Sequence, residues 1–318
     1  MAVIDVFNGD ADGLCALHQL RLADPCESLL VTGVKRDVAL LKRVDAKAGD
    51  QVTVLDVSLD KNRDALICLL EKNINIQYFD HHFAGEIPVS ECFDAHINTD
   101  ADVCTSLLVN DYLNGAHLPW AVVAAFGDNL FDAAQAAAKP LRLTEAQLSQ
   151  LQHLGALLNY NGYGVTLGDL RVSPDDLYRK ISAFEDPFAF IASSQAYQVL
   201  DQGYQSDMEQ VKNIPSTIEE EKIRVLLLPD AAWARRVSGV FGNQLARSAP
   251  GRAHALMTLL PDGAYRISVR APLCNKRGAD ALCMQFPTGG GRKAAAGINH
   301  LPASMLDGFV DAFRARYS

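Results

Sequence analysis

Three acidic and histidine clusters, each at the end of a short apolar run, constrain the fold of this chain. Ala2-Val3-Ile4-Asp5-Val6-Phe7 runs into Asn8-x-Asp10-x-Asp12. Val52-Thr53-Val54-Leu55 runs into Asp56, and Ile74-Asn75-Ile76-Gln77-Tyr78-Phe79 runs into Asp80-His81-His82. Short runs rich in β-branched and aromatic residues, separated by helical stretches, predict a buried parallel sheet. Ligands of such sheets bind along the rim formed by the carboxyl ends of the strands. Carboxylates from three strand ends should therefore meet at one spot. Packed carboxylates repel, and divalent cations relieve that repulsion most simply.

Residues 1 to about 130 alternate strand-like and helix-like segments, as β-α units do. Leu14–Leu20 reads as helix, Leu29–Val34 as the second strand, Asp60–Lys72 as helix, Ala95–Asn98 as a short strand and Val103–Leu113 as helix. Residues 144–212 look mostly helical, and Asn213–Thr217 reads as a linker. A second α/β unit follows from Lys222, with strands near Val225, Leu256 and Ile267 and helices near Val240 and at the C-terminus. The fold class is α/β: a parallel-sheet domain with helices on both faces, then a smaller α/β domain. The expected divisions are 1–190, a helical connector and linker at 191–217, and 218–318.

The net charge of −9 conceals an asymmetry. Residues 222–318 carry 14 Lys/Arg against 5 Asp/Glu, a net of +9, and residues 1–221 carry 15 against 33, a net of −18. An acidic part suited to cations is thus joined to a basic part suited to phosphates. Seven cysteines with no C-x-x-C pair argue against a disulfide framework or zinc ribbon and for a reducing cytoplasm, with most thiols as small core residues. The N-terminus enters a strand at once, unlike a signal peptide, and no apolar run approaches the ~18 residues of a membrane span.

Each cluster alone has a plain reading. A lone Asp at a strand end is usually a turn or cap residue, and His18, His96, His117, His153, His254 and His300 have no partner pattern. Convergence is what favours chemistry. Asp10 and Asp12, two apart, would point the same way on an extended segment, and Asp56 could bridge two ions. In the basic part, Gly289-Gly290-Gly291 could turn backbone N–H groups toward an anion. The following Lys293-Ala294-Ala295-Ala296 looks like a helix start, and Arg270 and Arg292 could grip a phosphate.

In order along the chain, Asn8-x-Asp10-x-Asp12, Asp56, Asp80-His81-His82 and Asp128 resemble the four motifs of the DHH phosphoesterases. Ser268-Val269-Arg270, Gly289-Gly290-Gly291-Arg292 and Ala296-Gly297 look like the associated DHHA1 domain. The resemblance covers nearly the whole chain. It departs from the family pattern at Asn8 and Arg292, where that pattern usually has His.

The resemblance implies two divalent ions, Mn²⁺ first, with Mg²⁺ or Co²⁺ as alternatives. Asn8, Asp10 and Asp56 would hold one, and Asp12, Asp56, His81 and Asp128 the other. An Asn carbonyl is a weaker ligand than imidazole, so the first ion should be the looser. His82 would face the scissile phosphate. Gly289, Gly290, Gly291, Arg270 and Arg292 would bind substrate.

The activity implied is hydrolysis of short linear oligonucleotides, 5′-phosphorylated dinucleotides above all, to mononucleotides. Long nucleic acid and membrane are not expected partners, and a homodimer is left open. The alternatives are a phosphoanhydride hydrolase, such as a pyrophosphatase or exopolyphosphatase, and a non-catalytic nucleotide-binding protein.

Overall fold

A computed structural model describes residues 1–317. The chain divides into two compact units, Met1–Gln202 and Gly203–Ser318.

The first unit contains β1 (Val3–Asn8), α1 (Ala11–Ala23), β2 (Leu29–Gly33), β3 (Gln51–Leu55), α2 (Leu59–Glu71), β4 (Asn75–Asp80) and β5 (Phe93–Ile97). Helices α3 (Thr105–Tyr112), α4 (Leu118–Gly127), α5 (Phe131–Ala138), α6 (Glu145–Gly162), α7 (Pro174–Ile181) and α8 (Pro187–Ser193) follow, and α9 (Gln195–Lys212) runs on into the second unit. The sheet is wholly parallel, in the order β2-β1-β3-β4-β5. Alternation sorts the strand residues between its faces. Ile4, Val6, Val52, Val54, Ile76 and Tyr78 pack with Leu59, Leu66 and Leu69 of α2. On the other face, α1 packs on β1 and α3 on β4. There the buried Asp5 is held by Arg21 of α1 at 2.6 Å and by Ser28 at 2.6 Å.

This strand order fixes where a ligand binds. The chain winds one way from β1 to β2 and the other way from β3 onward, so the crevice opens between the carboxyl ends of β1 and β3. The register aligns Phe7 with Leu55 and Leu55 with Phe79. The next residues on these strands, Asn8, Asp56 and Asp80, therefore stand side by side at the rim.

The second unit has a six-stranded mixed sheet, β10-β11-β9-β8-β7-β6. In chain order its elements are β6 (Ser216–Glu219), β7 (Ile223–Leu228), α10 (Ala232–Ser248), β8 (Ala253–Leu259), β9 (Tyr265–Arg270), α11 (Ala279–Cys283), β10 (Gly289–Gly291), β11 (Ala295–Leu301) and α12 (Leu306–Tyr317). Only β7 and β8 pair in parallel. Val225, Ala255, Ile267 and Ile298 form one core with Leu282 of α11 and Phe309 and Phe313 of α12. Leu226 and Leu256 meet Leu245 of α10 on the opposite face.

Several expectations change. Lys293–Ala296 does not start a helix: Arg292–Ala295 closes a tight hairpin between β10 and β11, with Arg292 and Ala295 exchanging backbone hydrogen bonds. Ser216 and Thr217, read as linker, belong to β6, where Ser216 pairs with Leu226 of β7 and the register shifts before Ile218. The thiols are not mostly core. Cys15, Cys104 and Cys283 are buried, Cys92 is half-buried, and Cys26, Cys68 and Cys274 are exposed. Among the described residues no helix is long and apolar enough to cross a membrane.

Candidate metal centre

Helix α1 begins inside the first cluster, at Ala11, which changes how its carboxylates point. Asp10 is the N-cap, and its Oδ1 accepts the backbone N–H of Asp12 at 3.0 Å and of Gly13 at 3.2 Å. Asp12 is already inside the first helical turn. The extended geometry expected for Asp10 and Asp12 is therefore overturned, because capping stabilises a helix start three residues earlier than the apolar pattern shows. Asp12 instead reaches α3, where its two oxygens accept the backbone N–H of Thr105 and of Ser106, both at 2.7 Å. These bonds fix a buried carboxylate at a helix N-terminus, where the dipole favours negative charge.

Asp56 leaves β3 with φ of 57°, the left-handed region, while its N–H still bonds Phe79 O at 3.0 Å. A non-glycine residue held there signals a constraint that the surroundings maintain. The side chain is turned into the crevice. Its Oδ1 lies 3.4 Å from His81 Nε2 and 3.8 Å from His82 Nδ1, and it accepts from Thr105 Oγ1 at 3.5 Å.

His81 is oriented from behind. Its Nδ1 lies 2.8 Å from Val103 O and can only donate to that carbonyl, which turns Nε2 toward the crevice. Nε2 faces Asp56 Oδ1 at 3.4 Å, Asp128 Oδ2 at 3.5 Å and Asp12 Oδ2 at 3.9 Å. Asp128 comes not from a strand but from the C-cap of α4, followed by Asn129 at φ 65°. His82 is held by Asp80, with Nδ1 to Oδ1 at 2.7 Å, and its side chain is 36 % exposed.

The electrostatics call for a cation. Burial raises the Asp56 carboxyl well above the usual carboxylate range, and the charges of Asp10 and Asp12 add to the shift. Burial likewise raises Asp12, reinforced by Asp128 and opposed by His81. Two groupings of side chains offer converging ligand atoms: Asp12, His81 and Asp128, and Asp56, His81 and His82. Carboxylate oxygens around one imidazole nitrogen suit Mn²⁺ and related ions. The donor set Asp12, Asp56, His81 and Asp128 therefore fits an ion.

The set Asn8, Asp10 and Asp56 is different. Asn8 Oδ1 is buried without a hydrogen-bond partner, as an acceptor meant for a cation or donor would be. Asp10 Oδ2, however, is bonded to the ammonium of Lys35. Burial pulls the Lys35 amine down, but Asp10 and the other anionic neighbours outweigh it, and the net shift is well upward.

Lys35, one residue past the strand expected to end at Val34, belongs to no motif in the sequence. Neither does Asn159, which accepts from Lys35 Nζ at 2.9 Å, nor the backbone of Thr105 and Ser106. A basic residue just past β2, the strand beside β1, was the available signal for Lys35. Phe83, directly after His82, is 74 % exposed and was also passed over.

The residues expected to bind substrate lie in the second unit. The Arg270 guanidinium is engaged with Asn243 Oδ1 at 2.7 Å, Ser268 Oγ at 2.9 Å and Gly239 O at 3.4 Å, beneath α10. Gly289, Gly290 and Gly291 form β10 rather than a loop. Arg292 is exposed at the hairpin turn.

No family model matches the chain, and no curated protein matches it. Solved structures do. A DHH-domain member of the S1p family of ribosomal proteins aligns over 99 % of this chain and 86 % of its own, at 14 % identity and a TM-score of 0.66. Exonuclease RecJ bound to manganese aligns over 100 % of this chain and 91 % of its own, at 18 % identity and a TM-score of 0.62. A pGpG-specific phosphodiesterase from Vibrio cholerae aligns over 98 % and 97 %, at 13 % identity and a TM-score of 0.55. The fold is that of the DHH-domain proteins, as the four motifs implied.

Proposed function

We propose that this chain is a metal-dependent phosphodiesterase that hydrolyses short linear oligonucleotides, 5′-phosphorylated dinucleotides first, to mononucleotides. One observation carries the reading. Asp12, Asp56 and Asp128 converge on Nε2 of His81, at 3.4 to 3.9 Å, with the half-buried His82 beside them. A manganese-bound exonuclease and a pGpG-specific phosphodiesterase of the same fold support it.

Asp12, Asp56, His81 and Asp128 would hold the ion, Mn²⁺ before Mg²⁺ or Co²⁺. A bound divalent ion supplies Lewis-acid polarisation of a phosphoryl oxygen and activation of the attacking water. The protein's own groups do the rest. Val103 O and the N–H groups of Thr105 and Ser106 fix His81 and Asp12, so the ligands need no rearrangement when charge develops. Burial disfavours protonated His82, but the bond to Asp80 and the charge of Asp56 outweigh it and favour the imidazolium. With Nδ1 on Asp80, Nε2–H is the donor left to stabilise phosphate charge or protonate the leaving oxygen. Phe83 offers an apolar ring on which a base can stack. In the basic second unit, Arg292 and Arg270 are assigned to substrate phosphate.

The test is a substrate panel with Mn²⁺: a 5′-phosphorylated dinucleotide, longer single-stranded RNA, a cyclic dinucleotide, pyrophosphate and polyphosphate. The linear dinucleotide is expected to turn over fastest, and chelation should stop it. Preference for pyrophosphate or polyphosphate would replace this reading with phosphoanhydride hydrolysis. Binding without turnover of any substrate would make the chain a nucleotide-binding protein.

A further inference from the structure

Both oxygens of Asp10 are engaged. Oδ1 caps α1 through the N–H groups of Asp12 and Gly13, and Oδ2 takes the Lys35 ammonium. The same ammonium reaches Asn159 Oδ1 at 2.9 Å and Asp128 Oδ1 at 3.4 Å. Three acceptors thus meet the three N–H donors of a lysine. The Tyr163 ring centre lies 5.6 Å from Nζ, within range of a cation–π contact.

The backbone of Lys35 is anchored as well. Its N–H donates to Gly162 O at 2.9 Å, and its carbonyl accepts from Asn8 Nδ2 at 3.3 Å. Asp128 is divided between two cation positions, with Oδ2 at 3.5 Å from His81 Nε2 and Oδ1 toward Lys35.

We propose that the Lys35 ammonium stands where the first ion of the pair would bind, so that this centre holds one divalent ion, at Asp12, Asp56, His81 and Asp128, beside a built-in cation. The proposal rests on reading the crevice as a metal centre. An ion entering at Asp10 must displace an ammonium that is half-buried and hydrogen-bonded on three sides. What it gains from Asn8 is a neutral amide oxygen, a poorer ligand for Mn²⁺ than the imidazole usual at that position of the family pattern. Asp128 then links the ion to the ammonium, much as a carboxylate bridges two metals.

The experiment counts Mn²⁺ bound per chain, by equilibrium dialysis with elemental analysis, and records the electron paramagnetic resonance spectrum of the loaded protein. The wild-type chain should bind one ion and show the hyperfine pattern of an isolated Mn²⁺. Lys35→Met should bind two and show the spectrum of an exchange-coupled pair, and Lys35→Arg, which keeps the charge, should remain at one. Lys35→Gln serves if the Met variant does not fold, with the same gain of a second ion expected.

Two coupled ions in the wild-type chain would overturn the proposal. So would a single ion in both charge-removing variants, since Lys35 would then not be what excludes the second. Absence of any bound ion in the wild type would remove the metal-centre reading itself.

Discussion

Asp56 is buried, faces His81 and His82, and stands on a left-handed backbone that costs a non-glycine residue on the order of 1 kcal/mol. Without an ion, its carboxyl is also pressed toward protonation by burial and by its acidic neighbours. Asp56→Asn keeps the shape and the tolerance for φ above zero while removing the charge. The variant should lose Mn²⁺ binding and turnover, yet its metal-free form should be more stable than wild type by about 1 kcal/mol. Thermal unfolding with chelator and with Mn²⁺ checks both parts. Mn²⁺ should raise the wild-type Tm and leave the variant unmoved, and an equal rise in both would show that Asp56 does not hold the ion.

His82 and Phe83 should separate differently. His82 stabilises charge that develops only as the phosphate reacts, so His82→Ala should lower kcat by about 10²–10³ with Mn²⁺ affinity little changed. Phe83 offers ground-state stacking, so Phe83→Ala should raise KM for a dinucleotide roughly 10-fold and leave kcat near wild type. If Phe83→Ala leaves dinucleotide KM unchanged, no base stacks there. Steady-state kinetics on one dinucleotide settle both.

At the scale of elements, the glycine run divides into positions with different duties. A Cβ on Gly289 would lie 1.8 Å from Cys283 O at the end of α11, and one on Gly291, at φ 138°, would lie 2.5 Å from Ala296 Cα. A Cβ on Gly290 would meet nothing within 4 Å. Gly289→Ala should therefore destabilise the chain by about 2–3 kcal/mol in urea unfolding, while Gly290→Ala should stay within about 0.5 kcal/mol. Equal losses would show that backbone entropy, not close packing, governs the run. The sequence pattern shows only that glycine is present; it cannot tell an anion cradle from a strand pressed against a helix end.

The same distinction governs what could be read elsewhere. The strands were legible because β-branched runs ending in polar clusters carry their own signal, and strand ends located Asp56 and His81. The partners of those residues were not legible. Asp12 is held by backbone N–H groups 93 and 94 residues away, and Lys35 meets Asp10 only because β2 lies beside β1. Arg270, read as a phosphate grip, also ties β9 to α10, a role that depends on Asn243 and Gly239 lying across the sheet face.

Across the whole molecule, two histidines outside the metal centre, one in each unit, are buried as the neutral imidazole. His18 lies in the first unit, 1 % exposed, bonding Phe184 O at 2.8 Å and edge-on to Trp120; burial lowers its pKa to about 4. His254 lies in β8 of the second unit, also 1 % exposed, and burial, with the charges of Arg224 and Arg252, lowers it to about 4. In the unfolded chain both would titrate near 6.5.

Between pH 6.5 and 4 the unfolded state therefore binds protons that the folded state does not, so stability falls as the pH falls through that window. The contribution is fully present above pH 6.5. Each histidine accounts for about 2 kcal/mol of loss between pH 7 and 5, and about 3 kcal/mol by pH 4, where the folded imidazoles begin to protonate. Because one histidine sits in each unit, both units should weaken together. His254→Leu replaces the ring with an apolar side chain that has no charge to acquire. Its loss of stability between pH 7 and 5, measured by urea unfolding of the full chain, should be about 2 kcal/mol smaller than that of wild type. A loss identical to wild type would mean that His254 is protonated in the folded protein, and that its burial does not keep it neutral.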